Sequence, residues 1–81
     1  MLRDVSLAAG ESESGSFTIS YWRAEPGARV REGSELLIVE SVEEKTALAV
    51  LSPWSGVLAE IVAGEGSTVA PGALLGRIET G

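Results

Sequence analysis

One stretch of this chain occurs twice. Gly27-Ala28-Arg29-Val30-Arg31-Glu32-Gly33 leads into Leu36, Leu37, Val39 and Glu40, and 39 residues later Gly66-Ser67-Thr68-Val69-Ala70-Pro71-Gly72 leads into Leu74, Leu75, Ile78 and Glu79. Both copies carry a glycine, a valine three positions on, a second glycine six positions on, and then an aliphatic run closed by Val-Glu or Ile-Glu. The run Phe17 to Trp22 precedes the first copy and Val57 to Val62 precedes the second. A chain written this way is two similar halves of about forty residues, and its fold is constrained to be internally two-fold.

The punctuation fixes the class of each half. Pro26-Gly27 and Pro71-Gly72 suit the central positions of type II turns, where Pro presets φ and Gly accepts a positive φ; Glu32-Gly33 and Glu65-Gly66 fill the matching slots of the other copy. Each half therefore reads as strand, turn, short extended piece, turn, strand. Phe17, Ile19 and Tyr21 alternate with Thr18, Ser20 and Trp22, and Leu48 and Val50 alternate with Ala47 and Ala49, the period of strands with one buried face. No stretch shows a helical stripe. The expectation is a small all-β sandwich or barrel, with Trp22 and Trp54 as strand-packing aromatics.

Length and composition narrow the chemistry. With 81 residues the chain holds one domain, 1–81, and buries only about 60% of the surface its unfolded form exposes, which leaves no room for a core and a deep cleft together. It has no cysteine and no histidine, hence no thiolate, zinc cluster or disulfide. A net charge of −6 with scattered arginines argues against nucleic acid and against anionic membranes, and no apolar run approaches the roughly 20 residues of a membrane-spanning helix. Met1-Leu2-Arg3-Asp4 opens no long apolar segment before the polar stretch Gly10 to Gly15, so no signal peptide is read and a cytoplasmic chain is expected. The carboxylates fall largely at turns, as at Glu25, Glu32 and Glu65, and Gly64-Glu65-Gly66 lacks the helix of a dinucleotide fingerprint. No catalytic residue is assigned.

Subtraction leaves one distinctive group. The positive side chains are five arginines and a single lysine, Lys45. It lies between two β-rich runs, Leu36 to Glu40 and Thr46 to Leu51, in Ser41-Val42-Glu43-Glu44-Lys45, which has no Gly or Pro and reads as a hairpin with Lys45 at or beside its tip. An exposed lysine is ordinarily a solvated charge. In a chain that otherwise uses arginine for positive charge, an amine on a hairpin is chemically distinct, because it forms an amide and a guanidinium does not do so readily.

Nearly the whole chain resembles the biotinyl/lipoyl attachment domains, most of all the lipoyl domains of 2-oxo acid dehydrogenase acyltransferase components. Gly10-Glu11-Ser12 followed by Trp22 is similar to the family's N-terminal Gly-Glu-Ser and its strand Trp. The first glycine turn, Gly27-x-x-Val30-x-x-Gly33-x-x-Leu36, has its family counterpart, as does Glu65-Gly66-x-x-Val69-x-x-Gly72-x-x-Leu75. Glu44-Lys45-Thr46 resembles the Asp-Lys-Ala attachment site, and Ser52-Pro53-x-x-Gly56-Val57-Leu58 resembles the segment that follows it. Counting back from Pro53 puts Lys45 on the attachment position, whereas counting forward from Gly33 puts Glu43 there, because the segment Glu40 to Lys45 is about two residues longer than the usual family hairpin. Val39-Glu40-Ser41-Val42 also resembles the Glu-Ser-Val-Lys of the glycine-cleavage carrier protein, with Glu43 where that protein has lysine.

The resemblance implies a flattened barrel or sandwich of two pseudo-symmetric antiparallel sheets. It implies lipoate joined covalently to Lys45, flanked on the turn by Glu44 and Thr46, in a monomeric domain that does no chemistry of its own. Implied partners are a lipoate ligase or lipoyltransferase, and then a thiamine-dependent 2-oxo acid decarboxylase, an acyltransferase that passes the acyl group to coenzyme A, and the flavoprotein dihydrolipoyl dehydrogenase. Glu40, Glu43 and Glu44 give the turn negative charge, which either steers docking to a basic entrance or simply keeps the loop solvated. Two other readings share the fold. Biotin carriers flank their lysine with methionine, absent here since Met1 is the only one, and an unmodified lipoyl-like interaction module suits the longer hairpin.

Overall fold

The computed structural model describes residues 1–7 and 15–81, so Gly10-Glu11-Ser12 lies outside the described residues. Eight strands run in chain order: β1 (Leu2–Ser6), β2 (Phe17–Trp22), β3 (Arg29–Val30), β4 (Glu35–Ser41), β5 (Ala47–Leu51), β6 (Gly56–Ile61), β7 (Thr68–Val69) and β8 (Leu74–Glu79). They form two antiparallel four-stranded sheets, ordered β1-β8-β6-β3 and β5-β4-β2-β7, and no described residue is helical.

The repeat in the sequence becomes a repeat in the hydrogen bonds. All four expected turns close with a bond from residue i+3 to residue i: Ala28 to Glu25, Ser34 to Arg31, Ser67 to Gly64 and Ala73 to Ala70, at 2.9–3.1 Å. The glycines at their third positions, Gly27, Gly33, Gly66 and Gly72, have φ between 87 and 94°, while the residues before them do not, which makes the turns type II. Gly27 N–H donates to the Leu58 carbonyl at 2.7 Å and, 39 residues along, Gly66 N–H donates to Ile19 at 2.8 Å. The two halves thus lock each other reciprocally.

Bulges are duplicated as well. Register slips at Ser20 in β2 and at Ala59 in β6, and again at Leu36 against β5 and at Leu75 against β1. The bulge in β2 corrects the simple alternation expected for that strand: Phe17 and Ile19 are buried, but Tyr21 turns outward at 44% exposure and Trp22 packs against the core instead. Trp22 donates its indole N–H to the Ala63 carbonyl at 2.8 Å. The strand β1 was not expected from the sequence; it has only Val5 buried and is held through its backbone to β8.

The core sits between the sheets. Leu36, Leu37, Val39, Leu58, Leu75 and Ile78 are wholly buried, joined by Val5, Phe17, Ile19 and Val30. Leu48 and Val50 face the same side as Val39 and Leu37, their cross-strand partners. Because β5 is a sheet edge, however, Leu48 remains exposed and Val50 half-buried. Gly56 cannot bear a side chain, since a Cβ there would overlap the Glu79 carbonyl oxygen of β8. On the outer face of the first sheet Arg77 donates to Glu60 at 2.7 Å and to Asp4 at 3.2 Å, and these bonds, Glu60 foremost, raise its pKa.

Candidate functional site

The segment between β4 and β5 is one place where the two halves fail to match. Ser41 N–H donates to the Thr46 carbonyl at 2.9 Å, so the last ladder pair encloses four loop residues: Val42, Glu43, Glu44 and Lys45. A turn without Gly or Pro needs another source of order, and Ser41 supplies it. The residue is buried at 6% exposure; its hydroxyl accepts from Glu44 N–H at 3.2 Å, and its carbonyl accepts from Lys45 N–H at 2.7 Å. Thr46 closes the loop from the other side by donating its hydroxyl to the Glu44 carbonyl at 3.3 Å.

Lys45 occupies the last loop position, beside the tip and at the entry to β5. Its φ is 57°, which makes it the one non-glycine among the described residues in the left-handed region, a conformation that costs about 1–2 kcal/mol for a residue with a Cβ. The loop needs that turn of the backbone to re-enter the ladder, and a lysine rather than a glycine provides it. Its side chain is exposed. The ion pairs between described residues are made by Met1, Arg23 and Arg77, and none by Lys45. The amine therefore projects from a hydrogen-bonded loop into solvent, the arrangement an amide-forming lysine requires, and its donor set fits lipoate or any other carboxylic acid carried through that nitrogen.

Glu44 and Thr46 flank Lys45 in the same loop, and Glu40, Glu43 and Glu44 are all exposed. Three groups escaped the sequence reading: Ser41, which organises the loop, and Gly15 and Ser16, which touch it. Val42 N–H donates to the Ser16 carbonyl at 3.0 Å, and a Cβ at Gly15 would overlap the Glu43 carboxylate. Ser41 carried a signal, as a hydroxyl residue just before a turn. Gly15 and Ser16 carried none, because their approach depends on the β2–β4 register that pairs Phe17 with Ser41.

Elsewhere two open grooves mark the surface. One, of about 400 Å³, follows the seam between the edge strands β1 and β5 and is lined by Val5, Leu7, Leu48, Val50 and their neighbours without a titratable side chain. The other, of about 460 Å³, gathers Arg29, Arg31, Ser55 and Gly81. Neither sets one carboxylate against another, and the described residues contain no cluster of metal-ligating side chains.

The chain and its fold have known relatives. The family described as biotin-requiring enzyme matches residues 6–78. Among curated proteins, the chain is 41% identical over 64 residues to the dihydrolipoyllysine-residue succinyltransferase component of the 2-oxoglutarate dehydrogenase complex of Azotobacter vinelandii, and 39% identical over 64 residues to that of Pseudomonas aeruginosa. These matches cover 79% of this chain but only 16% and 15% of the relatives, so the chain spans about one sixth of their length. The solution structure of the lipoyl domain of the A. vinelandii 2-oxoglutarate dehydrogenase complex superposes with a TM-score of 0.72 at 32% identity, covering 95% of this chain and 98% of that one.

Proposed function

The chain belongs to the biotinyl/lipoyl attachment family, and from that premise we propose that it is a lipoyl carrier domain whose Lys45 takes lipoate in amide linkage. One observation carries the assignment of the residue: the only side-chain amine in the sequence stands exposed and unpaired by described residues on the single hairpin loop that has no counterpart in the other half. Bound there, lipoate would supply a dithiolane able to accept an acyl group and a pair of electrons. The protein's own part is presentation. Ser41 fixes the loop, the ladder fixes Ser41, and the tethered group is held at high local concentration near each enzyme it visits.

The relatives that carry such a domain belong to the 2-oxoglutarate dehydrogenase complex. By analogy this domain would be loaded by a lipoate ligase or lipoyltransferase and would serve a thiamine-dependent 2-oxo acid decarboxylase, an acyltransferase and dihydrolipoyl dehydrogenase in the cytoplasm, without catalysing a step itself. The exposed carboxylates of Glu40, Glu43 and Glu44 would favour partners with a basic entrance. Biotin carriage is the weaker reading, because Glu44 and Thr46 stand where methionines would flank a biotinyl lysine. The intact mass of protein made in a lipoate-competent host decides among the readings: a lipoyl increment is expected, and a biotinyl increment or the unmodified mass would refute it.

A further inference from the structure

Among the described residues, strands β2 to β4 correspond to β6 to β8 at an offset of 39 residues, with matching turns and bulges, and two differences stand out. In sequence, β1 and β2 are separated by ten residues, 7–16, and β5 and β6 by four, 52–55. The β4–β5 loop, Val42 to Lys45, has no counterpart at all. These two departures meet each other, through the Val42 N–H bond to the Ser16 carbonyl at 3.0 Å and through the Glu43 carboxylate, which lies where a Cβ of Gly15 would be. Gly15 has φ 90° and so sits in the left-handed region that favours glycine.

We infer that Val42 and Glu43 are a strut: the first half of the β4–β5 loop is seated on Gly15 and Ser16, and this seat, outside the β4–β5 ladder, holds Lys45 in its presented position. A longer loop is ordinarily a looser one, since more backbone is left to order without added contacts. Here the first two loop residues, Val42 and Glu43, are both engaged. Val42 satisfies its N–H on another strand's approach, and Glu43 covers a glycine whose missing side chain makes room for it. Lys45 follows two residues later, with its own N–H on the Ser41 carbonyl at 2.7 Å. Gly15 and Ser16 are positioning residues that act through the loop and touch no acyl group. The inference rests on Lys45 being the attachment site, but the seat itself is measurable on the unmodified protein.

Two variants remove the seat by different routes. Val42→Pro deletes the N–H donor while suiting the first position of a turn that follows an extended residue. Gly15→Ala displaces the flexible end of Glu43, with the turn strained by its positive φ. The expected result in each is a fall in the backbone order parameters of Glu44 and Lys45 from about 0.85 to below about 0.6, with the Phe17 to Trp22 and Leu48 to Leu51 amides unchanged. For lipoylation by a lipoate ligase, KM is expected to rise about five-fold, the worth of one net backbone hydrogen bond, with kcat nearly constant. Unchanged order parameters in both variants overturn the strut, and so do lowered order parameters with an unchanged KM. A wild-type domain that accepts no lipoate refutes the attachment reading instead, and the order parameters then decide the seat alone.

Discussion

The two ends of the duplicated ladder invite comparison. Where β4 meets β5, Glu40 pairs with Ala47 and Ser41 N–H bonds the Thr46 carbonyl; where β8 meets β1, Glu79 pairs with Leu2 and Thr80 N–H bonds the Met1 carbonyl, both bonds at 2.9 Å. Up to that rung the two sites are equivalent. Beyond it one continues into a four-residue loop with the only lysine, and the other carries the main-chain ends, with Met1 N–H donating to the Thr80 carbonyl at 2.8 Å. The frame that stabilises this domain is the part written twice, and the lysine proposed for attachment stands in a part written once.

If that division holds, paired substitutions in the frame cost alike. Leu36 and Leu75 are equivalent, each wholly buried and each at a bulge. Leu36→Ala and Leu75→Ala are each expected to lose about 2–5 kcal/mol in urea unfolding, a large share of what an 81-residue domain has. Losses that differ by more than about half of the larger would break the equivalence. A smaller pair sits at the turns. Gly27 and Gly66 have φ of 94 and 87° with open space where a Cβ would lie. Alanine at either is expected to cost about 1–2 kcal/mol of backbone strain alone, measured in the same way.

The smallest effect is at the loop and has the opposite sign. Lys45 pays for its φ of 57° with strain that a glycine would not feel. Lys45→Gly is therefore expected to stabilise the fold by up to about 1 kcal/mol, the relief of the left-handed conformation less the added freedom of the unfolded chain. A loss of stability on that substitution would mean that the lysine side chain contributes packing not evident in its exposure.

Much of this was legible in the sequence because its cause is local. Proline and glycine at fixed offsets dictate turns wherever they occur, and all four turns formed at the residues that announced them. The hairpin and its lysine were legible for the same reason, by two apolar runs around a polar segment. What was not legible depends on which strands meet. Tyr21 faces solvent because a bulge at Ser20, set by pairing with β4, inverts the alternation that the residue types imply. The strand β1 draws its order from backbone bonds to a strand more than sixty residues away, and its own side chains barely signal it. Gly15 reads as one residue of a polar stretch until the β2–β4 register brings it under Glu43.

If Lys45 is the point of attachment, the frame is indifferent to what it carries. Co-expression of the wild-type chain and of Lys45→Arg with a lipoate ligase, followed by intact-mass and thermal measurements on both, tests it most directly. A single lipoyl increment is expected on the wild type, none on Lys45→Arg, and the same melting midpoint for the two unmodified proteins. An increment that persists in Lys45→Arg, or a wild-type protein that stays at its unmodified mass, would contradict it.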